Sequence, residues 1–432
     1  MRPQPYEHAI RSDLVSRLQS AFQSRYYGAE VRAFGSFASG VYLPTADIDL
    51  VLLSTTFIRR GLKSFCEKRG QIYVFAAFLK TLDIAVPNSI ETIAQARVPI
   101  LKFVDKLTGL KVDLSFDNDS GILANWTFQK WKSEHPAMPV IVSVIKQFLM
   151  LRGLNEVPTG GLGGFSIICL VTSLLQHLPH GHMEPNLGSM LMDFFDFYGN
   201  QFDYGYIGIR MDPPGYFDKV IEIHRPLYID FLLMLDAQRI YGIYQENHHR
   251  RLTIEDPNNR DNDVSGGTKE IPLIFQCFSD AYKALKGRLT FAAMSGSTNT
   301  CFLGAIVSAN YREYIDLRKH LRNIFENDPR FASHRLAPPP PPPSMPAPED
   351  HIPPPPPHDP SQRATKPQRR MQASLDRAAR LKLLRPDIQN IPNSICNSDA
   401  LILGGYSNQA EMDNDLNARE MEFSVSRKTR YT

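Results

Sequence analysis

Apolar and polar residues alternate in two short runs of the chain, at positions 47–53 and 111–116. This alternation is the spacing of a β-strand that buries one face. In both runs we predict that the even-numbered residues point into a core. The odd-numbered face of these predicted strands carries three carboxylates: Asp47, Asp49 and Asp113.

Elsewhere the apolar residues recur every three or four positions, which predicts amphipathic or buried α-helices. We expect helices over Glu7–Tyr27, Arg59–Leu82, Pro139–Leu151, Phe165–His177, Leu187–Tyr198, Lys269–Leu285 and Val307–Phe325. The stretch from Ile207 to Asp218 contains Asp-Pro-Pro-Gly and is predicted to be rich in turns. The fold class indicated is α+β.

The composition narrows the class of protein only slightly. A chain of 432 residues with 43% apolar residues is long enough for two or three packed domains. No run of about 18 apolar residues occurs, so no transmembrane helix and no membrane partner are expected. The five cysteines are scattered without zinc-site spacing and are expected to be reduced. The formal charge of +3 indicates no particular partner.

The predicted strand at 47–53 carries the chemistry. Asp47 and Asp49 are predicted to share one face. Two carboxylates side by side repel each other, and a bound cation usually offsets that repulsion. Oxygen ligands suit Mg²⁺ or Mn²⁺. Gly35 and Ser36 precede Asp47 in a predicted turn, where backbone N–H groups and a hydroxyl could bind phosphate. A lone Asp-x-Asp also fits a solvated strand edge, and a lone Asp113 also fits a surface residue.

These residues together resemble a known family. The stretches FGSFASGVYLPTADIDLV, KVDLSF, IKQFLMLRGLNEVPTGGLGGFSIICLV, FFDFYG and IEDPNNRDNDVSGG are similar to those of the noncanonical nuclear poly(A) polymerases of the fungal TRAMP type. That family belongs to the polymerase-beta-like nucleotidyltransferases. The resemblance implies a catalytic domain with a mixed sheet flanked by helices, and a mostly helical central, PAP-associated domain.

The resemblance also implies roles for individual residues. Asp47, Asp49 and Asp113 would be catalytic and would hold two Mg²⁺ or Mn²⁺ ions, with ATP as the substrate. The nucleotide would be bound by the following residues: Gly35, Ser36, Asn118, Gly121, Lys146, Gly164, Phe165, Asn262 and Asp263. Many relatives have Ser-Ser-Tyr where this chain has Gly163-Gly164-Phe165, so a phosphate-binding hydroxyl is absent here and the ring lacks its phenol.

Four regions are predicted along the chain. Residues 1–27 would form an N-terminal helix packing on the central domain, 28–124 the catalytic domain, and 125–333 the central domain. Residues 334–432 contain proline runs, and 362–385 holds eight Lys or Arg against one Asp. This last region is expected to be a disordered linker and basic tail, either simply solvated or adding phosphate contacts.

The resemblance implies template-independent addition of AMP to RNA 3′ ends, in RNA surveillance and exosome-linked decay. The implied partners are a zinc-knuckle RNA-binding protein and an RNA helicase of a TRAMP-like complex. The implied location is the nucleus, including the nucleolus. A terminal uridylyltransferase, a catalytically inactive scaffold and a small-molecule nucleotidyltransferase are the alternatives.

Overall fold

The computed structural model of the protein describes residues 3–178, 186–219, 251–296 and 301–336. These residues divide into two compact units. One contains the described residues up to Gln129 and those from Asn310 onward, and the other contains those from Lys130 to Ala309. Beyond Leu336, the predicted linker and basic tail lie outside the described residues.

The helices of the described chain are α1 (Pro5–Arg25), α2 (Gly35–Ser39), α3 (Thr55–Arg60), α4 (Ile72–Thr81), α5 (Ser120–Glu134), α6 (Met138–Met150), α7 (Gly164–His177), α8 (Leu187–Asp196), α9 (Ile271–Ser295), α10 (Gly304–Val307), α11 (Arg312–Asn327) and α12 (Ala332–Leu336). Single helical turns of other pitch occur at Arg69–Gln71, Val157–Thr159, Phe197–Gln201 and Pro329–Phe331. The strands are β1 (Glu30–Phe34), β2 (Ile48–Leu53), β3 (Glu91–Ile93), β4 (Ile100–Val104), β5 (Lys111–Phe116), β6 (Ile207–Met211), β7 (Pro214–Asp218), β8 (Glu255–Asp256) and β9 (Asn259–Asp263).

The first unit is built on a five-stranded mixed sheet in the order β1-β2-β5-β4-β3. β2 and β5 run parallel, and their other neighbours pair antiparallel. The even-numbered residues of β2 and β5 are buried in the main core, as the alternation predicted. The α+β fold class is therefore confirmed, with a mixed sheet flanked by helices and a second, mostly helical unit.

The face of β2 that carries Asp49 is buried farther along the strand, and Asp47 lies just before the strand begins. Val51 and Leu53 pack with Ile122, and Phe34 and Trp126 lie against this second, smaller cluster. The strand therefore leaves the face open only near its start. Because of this cover, the polar residues of that face lie at one end of the sheet.

The N-terminal helix was predicted to pack on the central domain, and that prediction is wrong. The residues that α1 buries, among them Ile10, Leu14, Leu18 and Phe22, belong to the core of the five-stranded sheet. Helix α11 also packs on α1, and its Leu321 is buried in the same core. The helical spacing of α1 revealed an apolar stripe, but such a stripe does not specify which partner covers it.

Two other predictions need correction. The helix expected over Arg59–Leu82 is interrupted, because α3 ends at Gly61 in a left-handed conformation and α4 begins only at Ile72. The stretch from Ile207 to Asp218 is a β-hairpin rather than a series of turns. Its Pro-Gly composition marks the connection and the start of β7, whereas β6 pairs along its whole length.

The second unit packs its helices around aromatic side chains. Phe194 and Phe195 of α8 contact Phe278 of α9, with ring centroids 5.2 and 5.9 Å apart. The buried Tyr198 hydroxyl donates a hydrogen bond of 2.7 Å to the Leu170 carbonyl of α7. Among the described residues, no helix is both long and apolar enough to cross a membrane.

Candidate active site

A row of charged side chains crosses the open end of the five-stranded sheet. Asp49 of β2 pairs directly with Asp113 of β5, and Asp113 pairs with Lys102 of β4. Lys102 in turn pairs with Glu91 on the edge strand. Neighbouring strands lie about 4.8 Å apart, so the two aspartates are adjacent on one face. The sequence predicted the shared face, and the register brings the two side chains together.

Lys102 is a functional candidate that the sequence reasoning missed. Its ammonium lies 2.6 Å from one carboxylate oxygen of Asp113, in a partly exposed ion pair. The residue lies on β4, nine positions before the start of β5, so spacing along the chain gave no hint of the pairing. Lys102 therefore offsets part of the negative charge of the aspartate row.

The three aspartates fit a divalent cation by chemistry. Burial, followed by the charge of Asp113, raises the pKa of Asp47, which indicates that carboxylates crowd this end of the sheet. Within the described part of the chain, no three acidic, histidine or cysteine side chains already converge on a common point. Asp113 instead turns toward Lys102 and forms an ion pair with it.

Gly35 lies against Asp49. Its φ of 65° is in the left-handed region, and a methyl group placed on it would collide with the carboxylate of Asp49. The predicted turn at Gly35-Ser36 is in fact the start of the short helix α2. Gly35 thus lies beside Asp49, where glycine is required for both backbone and space, and Ser36 follows it in α2.

Asn118 and Gly121 have structural roles at the start of α5. The Asn118 side chain accepts a hydrogen bond of 3.1 Å from the Ser120 amide. A side chain at Gly121 would collide with the ring of Phe34, the residue that pairs with Asp49 in the sheet. Both residues follow β5 on the same unit as the aspartates, and contact with a nucleotide remains a prediction for them.

Asp117 is a buried residue whose importance the sequence did not reveal. Its carboxylate accepts hydrogen bonds from the Ser54 amide and hydroxyl, at 2.6 and 2.8 Å, and from the Ser64 and Phe65 amides, both at 2.7 Å. It ties the ends of β2 and β5 to the loop between α3 and α4. Its place directly after an apolar strand, in the run Phe116-Asp117-Asn118, was the only available signal.

Lys146, Gly164 and Phe165 lie in the second unit. The Lys146 ammonium lies close to Gly164, 3.8 Å from the position that a Cβ there would take, so α6 directs a cation at the start of α7. Phe165 stacks on Trp131 with nearly parallel rings, 6.3 Å between centroids. The structure therefore brings these three predicted residues together, and Trp131 joins them.

Asn262 and Asp263 differ in how firmly the second unit holds them. The half-buried Asp263 carboxylate accepts hydrogen bonds from the Ile254 amide and from the amide and hydroxyl of Ser265, at 2.6 to 3.1 Å. This arrangement closes the loop and favours a structural role for Asp263. The Asn262 amide donates to Asp256 at 2.8 Å from a partly buried position.

The loop of Asn262 lies beside the glycine-rich loop at residues 160–164. Ser166 of α7 donates a hydrogen bond of 2.9 Å to the Val264 carbonyl, and the Gly160 carbonyl accepts from the amides of Lys269 and Glu270, both at 2.9 Å. The predicted base-recognition residue Asn262 and the predicted phosphate-contacting residues thus lie on adjoining parts of one unit.

Comparison with known proteins agrees with this geometry. The family model "Poly(A) RNA polymerase, mitochondrial-like, central palm domain" matches residues 1–132. A second model, "Cid1 family poly A polymerase", matches residues 186–262. The first match covers the five-stranded sheet with its aspartates, and the second includes Asn262.

Similar proteins of known sequence or structure support the same family. Poly(A) RNA polymerase cid14 of Schizosaccharomyces pombe is 35% identical over 293 residues, which are 66% of this chain and 39% of that protein. Poly(A) RNA polymerase protein 2 of Saccharomyces cerevisiae is 33% identical over 338 residues, 76% of this chain and 54% of that protein. The chain thus spans about half of these relatives or less.

A solved structure also matches the chain in three dimensions. The polymerase core of TRAMP, an RNA surveillance complex, is 30% identical with a TM-score of 0.56, and the match covers 74% of this chain and 89% of that one. The resemblance inferred from the motifs is confirmed. The chain belongs to the noncanonical poly(A) RNA polymerases, within the polymerase-beta-like nucleotidyltransferases.

Proposed function

We propose that the protein transfers adenylyl groups from ATP to RNA 3′ ends without a template. The observation that carries the proposal is the adjacent pairing of Asp49 and Asp113, with Gly35 pressed against the Asp49 carboxylate. A site of this kind suits a phosphoryl transfer in which carboxylates hold divalent cations. Family membership supports the choice of RNA and ATP.

Asp47, Asp49 and Asp113 would hold the cations, Mg²⁺ or Mn²⁺ by their preference for oxygen ligands. When bound, such ions stabilise the charge that develops on the triphosphate and on the attacking hydroxyl. The chain's own residues position the reactants. The absence of a side chain at Gly35 leaves its backbone open to a close approach beside Asp49, and Ser36 adds a hydroxyl next to it.

Residues of the second unit are also assigned to nucleotide binding. Lys146 and the start of α7 supply positive charge for phosphate, and the Phe165 ring supplies a surface for a base. Asn262, at the partly buried edge of its loop, is the residue we assign to reading the base. Asp263 would shape that loop rather than touch the nucleotide.

Extension of a defined RNA with each of the four nucleotides tests the proposal. We expect the purified chain, with Mg²⁺ or Mn²⁺, to extend an oligo(A) primer with ATP in preference to UTP, GTP or CTP. Preference for UTP would instead identify a terminal uridylyltransferase. A folded protein that uses no nucleotide and binds no ATP would support the inactive scaffold.

We extend the proposal to partners and location. Similarity to the polymerase core of an RNA surveillance complex supports assembly with other proteins. On the family resemblance alone, we propose a zinc-knuckle RNA-binding protein and an RNA helicase as these partners, and the nucleus as the site of action. Affinity purification of the tagged chain from its own cells, with imaging of a fluorescent fusion, tests both. A cytoplasmic protein that purifies without an RNA helicase would contradict this extension.

A further inference from the structure

Arg11 lies in the middle of α1 and is completely buried. Its guanidinium donates hydrogen bonds to the carbonyls of Pro44 and Ala46, at 3.1 and 3.0 Å. These two carbonyls belong to the segment that leads directly into Asp47. The two N–H donors of one guanidinium therefore fix the backbone just before Asp47.

The same guanidinium also reaches the segment that carries Gly35. It lies over the ring of Tyr42, 4.5 Å from the ring centroid, and Tyr42 packs against Phe37 of α2 at 5.8 Å. His8, one turn before Arg11, packs on Phe37 at 5.4 Å. Helix α1 thus holds both the beginning and the end of the loop that runs from α2 to β2.

A buried guanidinium is costly unless nearby groups compensate for its charge. Burial lowers the pKa of Arg11, whereas Tyr42, Glu7, Asp47 and Asp49 oppose that shift. The Nε atom has no hydrogen-bond partner, which adds to the cost of burying this side chain. Its position is best explained by its two effects: it fixes the backbone of the loop between α2 and β2, and its positive charge offsets the negative charge of the aspartates.

The position of α1 is itself fixed by the returning end of the chain. Glu7, one turn before Arg11, is buried and accepts hydrogen bonds from Arg318 of α11 at 3.1 and 3.3 Å. Glu7 Oε2, which accepts the 3.3 Å bond from Arg318, also caps the start of α1 by accepting from the Gln4 backbone amide at 2.7 Å. Helix α11 therefore limits the sliding and rotation of the helix that presents Arg11.

We propose that Arg11 is a positioning residue, which sets the backbone at 44–46 so that Asp47 and Asp49 bind a divalent cation. This inference rests on the proposed function, because it assigns those aspartates to the metal. Residues that orient metal ligands without touching the metal typically change metal affinity by about 10- to 100-fold when replaced. We expect an effect of that size from Arg11, although it touches neither nucleotide nor RNA.

Binding of Mn²⁺ alone to the full chain tests the proposal, measured by the electron paramagnetic resonance signal of free Mn²⁺. In Arg11→Lys the charge remains, but an ammonium cannot reproduce the fork that bridges two carbonyls. We expect Mn²⁺ affinity to fall by about 10-fold or more. Arg17→Lys is the matched control, since Arg17 lies on the same helix and pairs with Asp13 and the buried Asp105.

The free energy of unfolding, measured in urea without metal, separates positioning from general stability. Arg11→Lys should lose more Mn²⁺ affinity than Arg17→Lys at equal loss of stability. Equal Mn²⁺ affinity in the two variants would overturn the positioning role. If Arg11→Lys does not fold, Tyr42→Leu decides instead: it removes the ring beneath the guanidinium, and wild-type affinity in that variant would overturn the proposal.

The same measurement keeps this inference distinct from the proposed function. A wild-type chain that binds no Mn²⁺ would contradict the metal site and with it both proposals. A wild-type chain that binds Mn²⁺ but does not extend RNA would contradict only the adenylyl transfer. In a third outcome, the wild-type chain extends RNA and the Arg11→Lys variant binds Mn²⁺ with unchanged affinity. That outcome would contradict only the role of Arg11.

Discussion

At the scale of single residues, the site depends on close approach between backbone and carboxylate. Gly35 touches Asp49, Asp49 pairs with Asp113, and Asp113 holds Lys102. The sequence indicated the aspartates because strand alternation fixes which side chains share a face. It could not indicate Lys102 or Arg11, since sheet register sets the partner of Lys102 and helix packing sets the partners of Arg11.

Gly35→Ala should abolish activity while leaving most of the fold intact. A methyl group there collides with Asp49 and also strains a backbone with φ of 65°. Gly40→Ala is the matched control, because Gly40 has a φ of 73° but open space around a Cβ. Each variant should lose about 1 kcal/mol of unfolding free energy from the backbone term.

Primer extension and urea unfolding of both variants check this prediction. We expect Gly40→Ala to extend RNA nearly as well as the wild type and Gly35→Ala to be far slower. Similar activity of the two variants would show that contact with Asp49 does not matter.

Lys102→Met should make the stability of the folded protein depend more strongly on bound divalent cations. Loss of the ammonium leaves the Asp113 charge beside Asp49 without its nearest cation. The metal-free protein should therefore be less stable, and divalent cations should raise its unfolding temperature by more than they raise that of the wild type. Thermal unfolding in EDTA and in Mn²⁺ measures both, and an equal rise in the two proteins would contradict the prediction.

At the scale of elements, strands with clean alternation were predicted best. β5 was expected at 111–116 and is found there, and β2 begins at Ile48, one residue after the start of the run predicted at 47–53. The hairpin of β6 and β7 was missed because its Pro-Pro-Gly run suggested only turns. Helix boundaries within Arg59–Leu82 were missed since apolar spacing continues across the interruption.

Asp117→Asn should weaken the junction where β2, α3 and β5 meet. An amide cannot accept from all the donors that surround the buried carboxylate, and its NH₂ group would face some of them. We expect a loss of about 3 kcal/mol in the free energy of unfolding. Asp83→Asn is the control, because Asp83 also has positive φ but is exposed and pairs only with Lys106 among the described contacts.

Urea unfolding of the two variants measures the difference. A loss in Asp117→Asn no larger than that in Asp83→Asn would mean that the four hydrogen bonds add little to stability.

At the scale of the whole molecule, the chain leaves the sheet after Gln129 and returns to it from Asn310 onward. Leu321 and Phe331 are buried in the core of the sheet, and Arg318 binds Glu7. The sequence predicted a helix near this position but assigned it to the central domain. The local spacing of apolar residues does not show which core a helix joins when about 180 residues of another unit separate it from that core.

Truncation tests this return of the chain. A chain ending at Ala309 would expose the apolar surface that Leu321 and Phe331 cover, and each such side chain contributes about 1.5–3 kcal/mol. We expect it to be largely insoluble or unfolded, whereas a chain ending at Leu336 retains those contacts. Solubility and circular dichroism of the two chains compare them, and a folded, active chain ending at Ala309 would contradict the assignment.

The most direct test of the account is single-turnover extension of oligo(A) RNA by Asp49→Asn beside the wild type, with ATP and Mg²⁺. Loss of a metal-holding carboxylate should slow the reaction by about 1,000-fold or more, because the site supplies several kcal/mol and each tenfold is about 1.4 kcal/mol. The variant's unfolding free energy should change little, since Asp49 is only partly buried. Extension by a folded Asp49→Asn protein at the wild-type rate would contradict the account.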